Sequence, residues 1–518
     1  MSRETAVALR AVRSIRRERA EGNSRGDVAY AVYAGIMVAA IVVVPILRAV
    51  VLYLAEPAAS AVLVAVGPAV SGTVFALACA AFVALGGVRG PALLSPFLVF
   101  AVAGNGHPRR RTLLRPVARS VLALAVAGAG IALLVALVLV AVGTTSVAGA
   151  IVFAVAGALI GVVCGGCWLL GQRASAAVRA WIVVGVLATW AAWVVVPGSA
   201  SVLPWGWFAS LFPAAADVAD AGLSLGGLGL LAAAALAVIP MLLDGLRGPA
   251  LLAQAQRWQT AGTLAFTGDL AMAMGEFRAV PRRGRGLSAM GRGGRGGGRW
   301  GGLVWVFARR DLVGSLRTPA RFVLACAGCL GFGLLIVVAV GASGVAVWIA
   351  ACAAAIVGFL ALGVWSDGFR HVAEVAAAPP LYGVSTLRLV GLHTVLPVVG
   401  GVVFSAAGVV VGVLLWGAVV WPALAAAVLS VLLLVLVRVY DSAKGPLPLT
   451  LMAPVPTPAG DASALVVAAW QADAVILAGV AVGLTVVSFA GGVGGGVLVA
   501  VGLGLVVVWM ARRRILAD

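Results

Sequence analysis

The residues able to carry chemistry are few and far apart. Two cysteine pairs, Cys164-Gly-Gly-Cys167 and Cys326-Ala-Gly-Cys329, have the spacing of a metal or redox motif. No histidine lies near either pair, and both fall in long apolar runs. There cysteine acts as a small hydrophobe, and small residues at this spacing let helices approach. Packing is therefore the reading for both, and no metal site is expected. The remaining cysteines, Cys79 and Cys352, also lie in apolar runs, so no disulfide framework is legible. Phosphate binding by a Walker A loop needs a Gly-rich turn and a lysine. Lys444, the single lysine, stands in Ser442-Ala443-Lys444-Gly445-Pro446 and has no such frame. No hydrolytic triad or tuned carboxylate pair is present, and His107 and His371 stand beside arginines or acids in charged connections. The chain is read as a non-enzyme with no catalytic, cofactor or metal site of its own.

Three polar residues interrupt apolar runs. Asp473 follows Trp470 and Gln471 inside the run from Leu465 to Phe489. A carboxylate there is costly enough to mark a substrate path or a proton site by default. Alternatively it lies close enough to the end of the run to reach water or a basic neighbour, and both readings stay open. His393, in the run from Leu389 to Leu415, fits an interhelical hydrogen bond better than a proton relay. Gln471, Asp473 and His393 form the candidate intramembrane polar set.

The elements that must position these residues are apolar helices. The chain of 518 residues is 63% hydrophobic and 10% charged, with a mean hydropathy of +1.14. An ordinary soluble domain carries roughly 25% charged residues. Windows of about 20 apolar residues, the length that crosses a bilayer, predict an all-α polytopic bundle of about twelve spans. The first set is Val28 to Leu47, Val62 to Gly86, Val121 to Val142, Val147 to Leu170, Ala177 to Val196 and Leu225 to Leu243. The second is Phe322 to Val340, Val345 to Val364, Leu389 to Leu415, Val419 to Val437, Leu465 to Phe489 and Gly496 to Met510.

The formal charge of +19 raises nucleic-acid binding as a function. The basic residues, however, lie between spans. With the N-terminus inside, only Arg48 of the 36 Lys and Arg falls on the outer side, so the positive-inside rule places both termini in the cytoplasm and the chain in the plasma membrane. The first 27 residues are basic and the run after them is too long for a cleavable signal, so the first span is expected to stay as an anchor. The near absence of lysine beside abundant Ala, Gly and Val resembles an actinobacterial composition.

Landmarks recur between the two sets and predict a tandem six-plus-six repeat. Ala84-Leu85-Gly86 closes the second span and Ala361-Leu362-Gly363 the eighth, and each precedes a basic connection, closing on Pro108 to Arg115 and Pro380 to Arg388. The expected organisation is a basic interfacial segment at 1–27, a first half at 28–245, a linker at 246–302, an interfacial connecting helix at 303–321, a second half at 322–511 and a cytoplasmic tail at 512–518. Helix-compatible stretches at Ala6 to Ala20 and Leu303 to Leu316 precede the halves. In the latter, Leu303, Val306, Phe307, Leu312 and Leu316 are expected to share an apolar side while Arg309, Arg310 and Asp311 face water. The linker holds an Arg/Gly tract, Gly291 to Arg299, and a helix-forming stretch from Leu251 to Phe277. The tract reads as flexible, because aromatics for base stacking are nearly absent, and no nucleic acid is expected as partner. Between spans five and six, Trp205, Trp207, Phe208 and Phe212 precede Asp217 and Asp220. Such aromatics settle at headgroup depth, so a re-entrant or surface-lying outer helix is expected.

On these residues the chain resembles the membrane-spanning permease of ATP-binding-cassette exporters, in a fused form with six spans per half, closest to actinobacterial permease-like membrane proteins. The resemblance implies that Ala6 to Ala20 and Leu303 to Leu316 are connecting helices. It also implies that a separate ATPase subunit, carrying the ATP and magnesium, docks on Gly90 to Arg115 and Asp367 to Arg388, with Arg109, Arg110, Arg111, Arg115, Arg370 and Arg388 as contacts. The partners are then the lipid bilayer and that ATPase, and the substrate is hydrophobic or amphipathic. An ion-coupled carrier of the major-facilitator type shares the six-plus-six layout, but the connection from Val88 to Ser120 is long and lacks that family's Gly-Asp-Arg signature. A membrane scaffold without transport activity is the third reading, since basic connections also serve to hold an anionic leaflet.

Overall fold

The computed structural model describes residues 25–38, 40–41, 44–103, 108–196, 198–213, 221–266, 270–277, 300–375, 383–416, 420–445, 447–453, 456–457, 460–461, 463–489 and 491–517. The expected segment Ala6 to Ala20, the tract Gly291 to Arg299, His107, Asp217 and Asp220 lie outside them. Apart from a two-residue antiparallel ladder at Pro456–Thr457 and Gly460–Asp461, the described elements are helical. Ten of these helices are long and apolar enough to cross a membrane, and an eleventh is added if a helix pair bent by 66° is one span. Their outer surfaces are apolar, with Leu223, Leu414 and Leu498 exposed by 91%, 80% and 75%. Surfaces of this kind require lipid rather than water. The chain is a multi-pass helical membrane protein. It divides into two compact units between Gly262 and Thr263.

The first unit opens with α1 (Arg25–Val38) and α2 (Val44–Leu54), then α3 (Pro57–Gly86), α4 (Pro96–Ala103), α5 (Arg109–Ala141), α6 (Val147–Arg173), α7 (Ala176–Val195), α8 (Pro204–Ser210), α9 (Ala221–Asp244) and α10 (Gly248–Phe266). The expected first span, Val28 to Leu47, therefore falls on two helices, each shorter than the roughly 20 residues that cross a bilayer. Local chemistry sets the later helix starts. Pro57 and Pro204 occupy first-turn positions where no N–H is needed. Ser146 accepts from the Gly149 N–H at 3.1 Å and caps α6. The turn before it uses Gly143 at φ +80°, a conformation that favours glycine.

Helix α2 meets α3 and α5; α3 meets α6, α7 and α8; α5 lies along α6; and α6 meets α9. The α5–α6 contact is backbone on backbone. A Cβ added at Gly157 would lie 2.5 Å from the Gly128 carbonyl oxygen, and one at Gly161 would collide with the Leu124 carbonyl. Small residues thus replace side-chain interdigitation at this crossing.

The aromatic segment, expected as a re-entrant or surface-lying helix, turns into its unit. Trp205, Phe208 and Phe212 are buried, and Trp207 alone of the four is partly exposed. Trp205 meets Phe75 edge to face at 4.9 Å, Phe208 stacks on Phe153 at 5.0 Å, and Phe212 meets Phe153 at 5.5 Å. Four rings from α3, α6 and α8, with Phe212 just beyond, bury more area together than they would at a headgroup boundary, so α8 turns into its unit. Gly67 leaves the space that Phe212 fills.

The second unit contains α11 (Leu270–Gly275), α12 (Trp300–Leu316), α13 (Pro319–Gly341), α14 (Val345–Leu362), α15 (Asp367–Glu374), α16 (Thr386–His393), α17 (Val395–Trp416), α18 (Val420–Ser442), α19 (Ser463–Phe489) and α20 (Val493–Ala517). Helices α14 and α15 form the bent pair. Here α13 meets α14 and α17; α14 meets α18 and α19; α17 meets α18; and α18 meets α19 and α20. Glycine again brings backbones together: a Cβ at Gly333 would collide with the Ser405 carbonyl and one at Gly408 with that of Leu330.

Helix α12 corrects the expectation for Asp311. Val304 and Phe307 pack toward Val372, Leu389 and Leu392, whereas Leu303, Val306, Leu312 and Leu316 are exposed. Asp311 shares the packed side instead of facing water, because a histidine receives its carboxylate there.

Gly161→Ala is expected to lower stability by about 1–3 kcal/mol, the range for overpacking a tight contact. Gly130→Ala, where an added Cβ meets nothing within 4 Å, is expected to be neutral or stabilising by up to about 1 kcal/mol. Thermal unfolding of the detergent-solubilised chain checks both.

Candidate functional site

Polar groups collect at helix ends in the second unit. The largest cluster centres on Asp473, ten residues into α19. Its Oδ1 accepts from Lys444 Nζ at 2.6 Å, and its Oδ2 accepts from Arg514 Nη2 at 2.7 Å and from the Tyr440 hydroxyl at 3.1 Å. Tyr440 lies near the end of α18, Lys444 just beyond it and Arg514 in the last turn of α20, so one carboxylate inside α19 ties the ends of α18 and α20 together. Lys444 also donates to the Trp470 carbonyl and lies 4.1 Å from the Trp470 ring centroid. The Arg514 guanidinium stacks on Tyr440 at 3.6 Å. Cation–π contacts on both sides keep the two cations beside the acid after much of their water is lost.

One turn earlier on α18, Arg438 is 8% exposed, an unusual burial for arginine. Its Nε donates to the Phe359 carbonyl at 2.8 Å, Nη2 donates to the same oxygen, and Nη1 pairs with Asp441 at 3.2 Å. It also packs against Gly363, where a Cβ would meet the guanidinium. The Phe359 carbonyl near the end of α14, which also accepts from the Gly363 N–H at 3.2 Å, and the i+3 carboxylate together satisfy the buried charge.

A separate pair joins α12 to α16. His393 is 1% exposed, and its Nδ1 lies 2.6 Å from Asp311 Oδ2. Phe307 meets the ring edge-on at 5.1 Å, and Gly368 of α15 leaves it room. The Nε2 atom has no hydrogen-bond partner among the described residues.

The sequence-derived set is thus divided. Asp473 and His393 occupy different clusters, and Gln471 lies partly exposed on α19. Arg109, Arg110, Arg111 and Arg115 share the first turns of α5. There Arg110 pairs with Asp244 at 3.5 Å, and its N–H donates to that carboxylate at 3.0 Å. Arg370 on α15 and Arg388 on α16 belong to the second unit. Cys79 of α3 packs in the same apolar cluster as Cys164 and Cys167, all six cysteines are free, and no group of three His, Cys, Asp or Glu among the described residues is arranged to hold a metal ion.

Sequence reasoning missed Lys444, Arg514, Tyr440 and Arg438 as a group. The available signal was positional: each basic residue lies within a turn or so of the end of an apolar run, where an acid inside the next run is able to find it. It also missed Gln172 and Gln254 of the first unit. Gln172 donates to Gln254 at 2.9 Å and accepts from the Ala92 N–H at 3.1 Å, while Gln254 donates to the Gly86 carbonyl at 3.2 Å. The helix legible at Leu251 to Phe277 is therefore docked on span ends, through α10.

No known family model matches the chain, and neither a curated protein nor a solved structure is similar to it.

Asp473→Ala is expected to lower stability by about 2 kcal/mol, because two largely desolvated cations lose their anion. Adding Lys444→Met and Arg514→Met to that variant is expected to recover most of the loss. Thermal unfolding of the single and triple variants is the measurement.

Proposed function

We propose that the chain is the transmembrane permease of an exporter energised by a separate ATPase, with two repeated six-helix units, both termini cytoplasmic, in the plasma membrane. The observation that carries this reading is a shared order of helix neighbours. If α2, α3, α5, α6, α7 and α9 correspond to α13, α14, α17, α18, α19 and α20, then each pair α2–α3, α2–α5, α3–α6, α3–α7, α5–α6 and α6–α9 has its counterpart in contact within the second unit, although α18–α19 and α19–α20 pack together without a comparable contact in the first unit and α5–α9 without one in the second. Short helices also recur between the second and third members, α4 and α15.

The sequence landmarks fall on the same joint. Gly86 packs on the backbone of Trp168 to Gln172 at the end of α6, and Gly363 packs on Arg438 toward the end of α18. In both cases the second helix ends against the fourth. Duplicated units with a charged connection between second and third spans supply matched surfaces for a cytoplasmic partner. The absence of a Walker A frame in the sequence assigns ATP and magnesium to that partner. The engagement of Asp473 by two cations counts against an ion-coupled carrier, which needs an acid free to take a proton or cation.

The test is affinity purification of the tagged chain in mild detergent. An ATP-binding-cassette ATPase is expected at stoichiometric yield, and it is expected to be lost from Arg109→Glu/Arg111→Glu, which leaves the Arg110–Asp244 pair intact. Failure to recover an ATPase across several detergents would overturn the exporter reading.

A further inference from the structure

The ion cluster around Asp473 does not balance. Lys444 and Arg514 share one carboxylate, while Arg438 and Asp441 pair one to one. Three cations against two anions leave one positive charge in excess, in surroundings where the Lys444 side chain is only 10% exposed and that of Arg514 26%. Arg512 and Arg513, just before the last turn of α20, are exposed. Arg513 lies over the Trp509 ring at 4.6 Å, so its charge stays at this helix end.

An apolar groove lies beside the cluster. It is a shallow cleft, open to its surroundings, rather than an enclosed cavity. Its walls include Phe369 and Val372 of α15, Val390 of α16, Val439 and Ala443 at the end of α18, and Ile515 of α20. Ala443 and Ile515 are sequence neighbours of Lys444 and Arg514, so groove and cations occupy adjoining faces of the same two helix ends. An inorganic anion would use the cations and leave the groove unfilled. An apolar ligand would use the groove and leave the excess charge unmet.

We propose that this end of the second unit binds an anionic phospholipid, its phosphate against Lys444 and Arg514 and its first acyl carbons in the groove. Charge complementarity selects an anionic headgroup, and each basic side chain near a membrane surface contributes about fivefold in affinity for it. Asp473 is the internal competitor: its carboxylate holds the two cations when the lipid is absent, and the lipid phosphate takes over part of that role. The site stands independently of what drives the chain.

The experiment uses the full chain in nanodiscs of phosphatidylcholine with a minor fraction of phosphatidylglycerol, with lipid retained after detergent extraction counted by native mass spectrometry. Stoichiometric phosphatidylglycerol is expected on the unaltered chain. Lys444→Gln/Arg514→Gln is expected to weaken retention by at least about fivefold. Val390→Phe, at a partly exposed wall of the groove on α16 and away from the cations, is expected to weaken it as well. Asp473→Asn is expected to strengthen it, because it frees both cations. If the double variant does not fold, the opposite directions of Val390→Phe and Asp473→Asn carry the test. Equal retention of the two lipids by the unaltered chain, or unchanged or weaker retention by Asp473→Asn, would overturn the proposal. So would displacement by millimolar inorganic phosphate, which would mark a site for free anions.

Discussion

Helices in lipid gain little from hydrophobic segregation, since the surroundings are as apolar as their own side chains, so each unit depends on how closely its backbones can touch. In the first unit that contact is α5 against α6, where Gly128, Gly157 and Gly161 leave no room for a Cβ. In the second it is α13 against α17, where Gly333 and Gly408 do the same. Dispersion between facing backbones replaces the hydrophobic effect as the cohesive force, and it falls off steeply with separation. The remaining helices arrange themselves around these crossings. The apolar outer surfaces, including Leu223 and Leu414, are left for lipid.

Close crossings leave little space for polar groups in the middle of a bundle, and the clusters with charge or amide networks gather where helices end. Asp473 draws on the ends of α18 and α20, Arg438 on the Phe359 carbonyl of α14, His393 on α12, and Gln172 on α10. Free carbonyls at helix ends and partial access to water lower the desolvation penalty that a charge meets deeper in. These polar joints also fasten spans to the shorter helices beside them. A partner pressing on α12, α15 or α10 would therefore act on spans through short, directional contacts rather than through a soft apolar surface.

The two units share part of their helix-neighbour order and differ in filling. The first carries α8, whose buried aromatics lock α3 to α6 through Phe75 and Phe153. The residues between α19 and α20 are too few to supply such a plug in the second unit. The excess positive charge around Lys444 and Arg514 has no equally dense counterpart among the described ion pairs of the first unit, where Arg110 and Asp244 pair more openly, with side chains 56% and 39% exposed. On the proposed reading of a duplicated permease, the halves are built alike but do different work.

Membrane insertion, helical class and the approximate limits of most spans were legible in the sequence, because a bilayer demands about 20 apolar residues per crossing whatever the neighbours are. The runs at 62–86, 147–170 and 465–489 fall within α3, α6 and α19 for that reason. Only the tertiary structure decided where Trp205, Phe208 and Phe212 point, since a ring suits a headgroup boundary and a bundle interior equally until Phe75 and Phe153 are placed opposite it. The same holds for Asp311, read as water-facing from its own helix but turned inward by His393 from another. Asp473 shows the limit most plainly. Its own run announced a costly charge, while Lys444 and Arg514, the groups that neutralise it, lie 29 and 41 residues away in sequence and meet it only through the packing of three helices. Solvation is a property of each segment and can be read along the chain, whereas pairing is a property of the assembled bundle.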